Sequence, residues 1–184
     1  MVQSVITQNV DRLHSKAGSS SVIELHGALH RTRCFDCGGH GSRDDLQQRI
    51  AALNPHLAEG RDARSAPDGD VDVPDEIVSR FAVPPCAECG GVLRPDVVMF
   101  GESVPRPRVE DAFAEVDAAD ALLVVGSSLT VYSGFRFVLR ARERAIPVAI
   151  VNLGETRADA LAALRIEGRA GEVLQEALRE LAPA

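Results

Sequence analysis

Two Cys-x-x-Cys pairs, Cys34/Cys37 and Cys86/Cys89, hold every cysteine of the chain. A two-residue spacer lets both thiolates of a pair reach one ion, and two pairs together supply a closed tetrahedral Zn2+ site with no position left for water. Such an ion is a fold element, so reaction chemistry belongs to the residues it positions. Two disulfides would require an oxidising compartment and suit a small, cysteine-dense secreted domain, neither of which is visible here. A redox Cys-x-x-Cys is possible in the cytosol, but two pairs with no other cysteine favour one structural zinc.

Polar residues upstream of the first pair are the candidates for chemistry. His26 stands in Glu24-Leu25-His26-Gly27, where the glycine permits a turn and close backbone approach. A lone histidine is more often structural than catalytic, so its neighbours decide. His14, His30, His40 and His56 are read as structural. Gln8, Asn9 and Asp11 follow an apolar run directly, at the carboxyl end of a strand, where open α/β sheets bind ligands. Their amides and carboxylate suit a carboxamide or a ribose, or else cap the next turn. Gly126-Ser127-Ser128 and Asn152 occupy the same kind of position after later strands. The segment Arg94 to Glu102 reads either as an edge able to pair with an extended peptide, with Phe100 as an apolar wall, or as a linker packing the core.

The elements that must position these groups alternate between β-rich runs and helical patterns, which predicts an α/β fold around a parallel sheet. Val2 to Ile6, Ala121 to Val125 and Val148 to Val151 read as buried strands. Asp44 to Leu53, Val109 to Val116 and Phe135 to Arg144 carry helical spacing, and Pro147 is a stop signal. Glu172 to Leu181 sets Val173, Leu174, Ala177, Leu178 and Leu181 on one face, as a terminal helix docking on a core would. Thr156 to Asp159 resembles a capping box. Gly60 to Asp70 is almost free of apolar residues and reads as a surface loop. No internal repeat is apparent. The expected class is an incomplete Rossmann-like parallel sheet, residues 1–28 and 96–184, with a small zinc-binding module, 29–95, inserted into it. The strand, glycine-rich turn and helix that normally open such a domain are not recognised in the chain.

Composition bounds the partners. A chain of 184 residues with 45% hydrophobic content can bury a real core. Its 20 basic against 27 acidic residues give a net charge of -7, which repels a phosphate backbone and argues against nucleic acid. With no cationic segment before an apolar run, and no stretch of ~18 apolar residues, it is expected to be cytoplasmic and not membrane-bound.

Taken in order, Thr7-Gln8-Asn9-Val10-Asp11, His26-Gly27, the two cysteine pairs, Val97-Val98-Met99-Phe100-Gly101-Glu102, Gly126-Ser127-Ser128-Leu129 and Val151-Asn152 resemble the sirtuin family. Val131-Tyr132-Ser133-Gly134-Phe135-Arg136-Phe137 and Asn152-Leu153-Gly154-Glu155-Thr156-Arg157 look most like its class II. The resemblance implies NAD-dependent removal of an acyl group from a protein lysine, releasing nicotinamide and O-acyl-ADP-ribose. In that chemistry the acyl oxygen attacks the ribose carbon as nicotinamide leaves, and a histidine then acts as general base on a ribose hydroxyl. His26 matches that base, which must be neutral, so activity is expected to rise through the ordinary histidine range. Gln8, Asn9, Val10 and Asp11 match the nicotinamide and ribose pocket. Gly126, Ser127, Ser128, Asn152, Leu153, Gly154 and Ala170 match the surroundings of the adenosine half. Val98, Phe100, Gly101 and Glu102 match the segment that pairs with the acyl-lysine substrate, and the zinc held by Cys34, Cys37, Cys86 and Cys89 is structural. The family's Gly-Ala-Gly turn and cofactor loop have no counterpart here, which keeps open a second reading: a non-catalytic, zinc-stabilised module that binds a peptide or protein.

Overall fold

In chain order the elements are β1 (Val5–Thr7), α1 (Leu13–Lys16), β2 (Val22–Glu24), β3 (Gly27–Cys34), β4 (His40–Ser42), α2 (Arg43–Leu53), α3 (Asp75–Arg80), β5 (Leu93–Val97), α4 (Arg106–Ala118), β6 (Leu122–Val125), α5 (Tyr132–Glu143), β7 (Val148–Asn152), a 3-10 turn (Asp159–Leu161), β8 (Leu164–Glu167) and α6 (Ala170–Leu181). The structure, a computed structural model, describes residues 2–55 and 74–181; His56 and the polar stretch from Gly60 to Asp70 lie outside them. The chain divides into two units: Met1–Gln8, Ala17–Leu25 and Phe100–Ala184 form one, Asn9–Lys16 and His26–Met99 the other.

The first unit is the α/β part. β1 and β2 pair in parallel, Val5 opposite Val22, and β6, β7 and β8 form a parallel three-stranded sheet in that order. α4 turns Val109, Ala112 and Val116 inward and α5 turns Phe135, Val138 and Ala141 inward, positions three or four residues apart that share one helical face. All of these but Val109 meet Leu25, Leu129, Val148 and Ile150 in one buried cluster. Phe113 meets Phe137 edge to face at 5.3 Å between centroids. On the outside of α4 and α5, Arg140 grips Asp117 through two bonds of 2.7 Å, and Arg144 adds a third. Those bonds, Arg140's first, hold the Asp117 carboxyl below the usual carboxylate range.

Two expectations need correction. The terminal helix α6 does not dock its whole apolar face: Val173 is half-buried, but Leu178 and Leu181 are 67% and 80% exposed. Its first turn follows β8 at the sheet margin, and beyond that turn the side chains find no covering surface among the described residues. On the sheet, Leu123, Val125, Leu164 and Ile166 are likewise exposed. The capping box is real but shifted. Asp159 accepts from Thr156 N, while the Thr156 hydroxyl accepts from Ala158 N rather than from the third residue, so a tight 3-10 turn forms.

The second unit is an antiparallel sheet, ordered β4-β3-β5, with α2 and α3. Ser42 caps α2 by accepting from Asp44 N at 3.1 Å. Asn54 ends that helix and is buried. Its amide donates to the carbonyls of Ile50 and Ala82, and its oxygen accepts from Ala82 N at 2.7 Å.

Ile150 is fully buried at the centre of β7. Ile150→Ala should lower stability by about 2–5 kcal/mol and Ile150→Val by about 0.5–1.5 kcal/mol, measurable by denaturant unfolding. Equal, small losses for both would show that the cluster around β7 is not the core of this unit.

Candidate functional site

The register of the parallel sheet brings several predicted residues of the first unit together. Val125 lies opposite Val151, and Gly126 N donates to Val151 O at 2.9 Å, so the loops after β6 and β7 leave side by side at the carboxyl ends of their strands. Asn152 lies opposite Glu167, and Ala170 opens α6 just beyond, at the same end. Gly126 and Gly154 have φ of +61° and +90°, the left-handed region where glycine is at ease. Leu129 also sits at φ +55°, buried, with its N–H held by the Ser127 hydroxyl. Ser128 bonds the Thr130 hydroxyl. The Asn152 amide donates to Gly154 O, and Leu153 is exposed.

Residues not singled out from the sequence hold this loop cluster. Arg165 on β8 donates to Gly154 O at 2.8 Å and to Asp159 at 3.1 Å. Asp159 is in turn bonded by Thr156, whose hydroxyl is the chief cause that holds its carboxyl below the ordinary range, with Arg165 adding to it. Gln8, immediately after β1, donates from its amide nitrogen to Ser133 on α5 at 3.2 Å, and Ser127 approaches its amide oxygen at 3.5 Å. Ser133 stood inside a quoted motif without a role, because nothing local hints at a partner 125 residues away.

In the second unit, Asn9 is exposed and Val10 O accepts from Leu29 N at 2.9 Å. Asp11 caps α1 by accepting from Leu13 N at 2.8 Å, as the capping alternative for that residue expected. His26 is half-buried at the head of β3, and its carbonyl accepts from Val98 N at 2.8 Å. Next to it, Gly27 has φ +82°, and a Cβ there would stand 2.0 Å from Asp96 O. No other residue fits, since both the backbone conformation and the space forbid a side chain. The buried carboxylate of Asp96 is bonded by Arg31 at 3.2 Å, and His40 lies 3.8 Å away. His26 and Val98 are therefore neighbours across one strand pair. Phe100, placed by its unit boundary in the first unit, is fully exposed, which rules out a core-packing role for that ring.

All four sulfurs of the second unit lie within 4.8 Å of one another, with Cys34 to Cys89 at 3.5 Å and Cys37 to Cys86 at 3.9 Å. Tetrahedral Zn–S bonds of about 2.3 Å put sulfurs ~3.8 Å apart, so the cluster fits one zinc ion. Both pairs sit on the same backbone device, Cys-x-x-Cys-Gly-Gly. Cys34 N donates to Gly39 O and Cys86 N to Gly91 O, Gly38 N returns to Cys34 O and Gly90 N to Cys86 O, and Gly38 and Gly90 have φ of +73° and +76°. This short repeat corrects the reading that the chain has none. The Cys37 N–H leads the causes that draw the Cys34 thiol down to about 7. Against the pull of the Gly91 N–H, the sulfurs of Cys34 and Cys37 push Cys89 up to about 12. Packed so closely, four thiolates need a shared cation. β3 bulges between Ala28 and Thr32, so that Gly27 stands opposite Val97 and Cys34 opposite Leu93; the histidine and the cysteines thus mark opposite ends of one strand pair.

Residues 1–133 match the Sir2 family, and the chain belongs to it. It is 49% identical over 173 residues to the NAD-dependent protein deacylase Sirt4 of Drosophila melanogaster, covering 94% of this chain and 55% of that one. It is 53% identical over 170 residues to an NAD-dependent protein deacetylase of Xanthomonas axonopodis pv. citri, covering 92% and 58%. A solved Sir2–p53 peptide–NAD+ complex superimposes with a TM-score of 0.73 at 31% identity, over 97% of this chain and 63% of that one. The chain spans little more than half the length of these curated relatives.

The purified protein should carry one zinc per chain, and a strong chelator should open the amides of β3, β4 and β5 to hydrogen exchange before those of β6 and β7. Zinc that strips away with no change in exchange would show that the ion is not structural. Gly27→Ala should destabilise the β3–β5 pair by several kcal/mol, judged from the 2.0 Å approach; a variant as stable as wild type would contradict the close packing of this turn.

Proposed function

We propose that this chain is a sirtuin-type, NAD-dependent protein-lysine deacylase that releases nicotinamide and O-acyl-ADP-ribose. The observation that carries the reading is the pairing of His26 with Val98 beside the obligatory Gly27, which sets a candidate base next to a candidate peptide-binding segment. NAD supplies the electrophilic ribose carbon and the leaving group. In this reading His26 accepts the proton of a ribose hydroxyl through a neutral imidazole. Gln8, Asn9, Val10 and Asp11 hold the nicotinamide ribose. Gly126, Ser127, Ser128, Asn152, Leu153, Gly154 and Ala170 hold the adenosine half, supported by their common place at the carboxyl ends of β6, β7 and β8. Val98, Phe100, Gly101 and Glu102 take the acyl-lysine peptide, which β5 is placed to receive as an edge strand of its sheet. We place its work in a reducing, cytoplasmic compartment, where four thiolates stay available to the metal.

An acetyl-lysine peptide and NAD should yield nicotinamide with the wild-type chain, and His26→Ala should lower the rate by about 100- to 10,000-fold while zinc content stays the same. Product formation by the variant at the wild-type rate would remove His26 from its role. A peptide held without turnover would favour the binding-module reading, for which the fully exposed Phe100 beside a half-exposed Met99 is the supporting observation.

A further inference from the structure

Gln8 is gripped from the far end of its unit. Its carboxamide nitrogen donates to Ser133 at 3.2 Å, and its oxygen takes the Ser127 hydroxyl at 3.5 Å. Beneath it, Gly134 offers a face with no side chain: a Cβ there would stand 3.0 to 3.1 Å from the amide oxygen, carbon and nitrogen together. The plane of the amide therefore rests on the first turn of α5. Ser133 is itself buried, so its hydroxyl is not competing with bulk water. A primary amide has two N–H donors and two lone pairs on oxygen, and a free one rotates between its two faces. Because Ser127 Oγ already accepts from Leu129 N, its own proton is left for the Gln8 oxygen, and with the amide N–H on Ser133 the two hydroxyls together favour one face.

We infer that Ser133 and Gly134 are positioning residues that set the carboxamide of Gln8 in one orientation, so that its second N–H and its oxygen are presented to the ribose of a bound dinucleotide. The inference rests on the nucleotide role given to Gln8 above. Ser127 belongs to the same device, since its hydroxyl serves both Gln8 and the strained turn at Leu129. The two glycine- and serine-bearing motifs of this unit thus act on one side chain that lies before them by more than a hundred residues.

The test is NAD affinity by titration calorimetry on the full chain, with Ser133→Ala, Ser133→Thr, Gly134→Ala, Gln8→Ala and the double variant Ser133→Ala/Gln8→Ala. Losing one neutral hydrogen bond should weaken binding about 3- to 10-fold in Ser133→Ala, and Thr should restore it because the hydroxyl returns. The Ser133→Ala loss should vanish in the Gln8→Ala background, as expected for a residue acting through another. Gly134→Ala separates positioning from structure by sign: alanine favours a helix, so thermal stability should hold or rise while affinity falls. A Ser133→Ala penalty that persists without Gln8, or wild-type affinity in Ser133→Ala, overturns the assignment alone. A wild-type chain that takes no NAD, or a Gln8→Ala variant that binds NAD as wild type does, overturns the nucleotide reading and the assignment with it.

Discussion

Four sulfurs confined within 4.8 Å are the constraint on which the second unit depends. Unshielded, that many thiolates repel: the Cys37 N–H draws the Cys34 thiol down, while the sulfurs of Cys34 and Cys37 push Cys89 up against the pull of the Gly91 N–H. A dication reverses the sign of the interaction and converts crowding into a tie. The tie closes at Cys34, the last residue of β3, which stands opposite Leu93, the first of β5. The metal thereby fixes one end of a strand pair whose other end carries His26, Gly27 and the Asp96–Val98 segment. It orders the His26 end of the pair by register and backbone.

At the other end of the pair the restraint is steric and ionic. Gly27 lets the Asp96 carbonyl come to within a distance that no side chain tolerates, and Arg31 holds the buried Asp96 carboxylate from the neighbouring strand. In the first unit the corresponding work falls to hydrogen bonds between loops. Arg165 and Asp159 hold the turn after β7, and Ser127 holds the turn after β6. Both units thus place polar candidates on irregular backbone and then fix that backbone from a strand or helix behind it.

What the sequence disclosed follows from where the relevant physics is local. Cysteine spacing is dictated by ligand geometry, so the metal cluster was legible. Leu122–Val125 and Val148–Asn152 were legible as strands because they are nearly all apolar, and α4 and α5 because their buried positions repeat every three or four residues. β2 and β8 escaped notice: three and four residues, mixed with charges, become strands only through the partner that hydrogen-bonds them. The Cys-x-x-Cys-Gly-Gly repeat was present in the letters, but its meaning lies in paired N–H to carbonyl bonds that spacing alone does not announce. Ser133 and Arg165 were invisible for a stronger reason, since each acts on a group fixed by tertiary contact. The docked terminal helix was a fair inference from amphipathicity that the described residues leave uncovered.

Asn54 has a wider consequence. Its single amide fastens the end of α2 to Ala82, so two backbone points 28 residues apart in sequence are held by one side chain. Closing a loop costs free energy that grows only with the logarithm of its length. With Asn54 and Ala82 held together by one amide, the length of chain between them enters the closure term only weakly, and the clasp itself fixes where α2 ends relative to the segment that leads to Cys86.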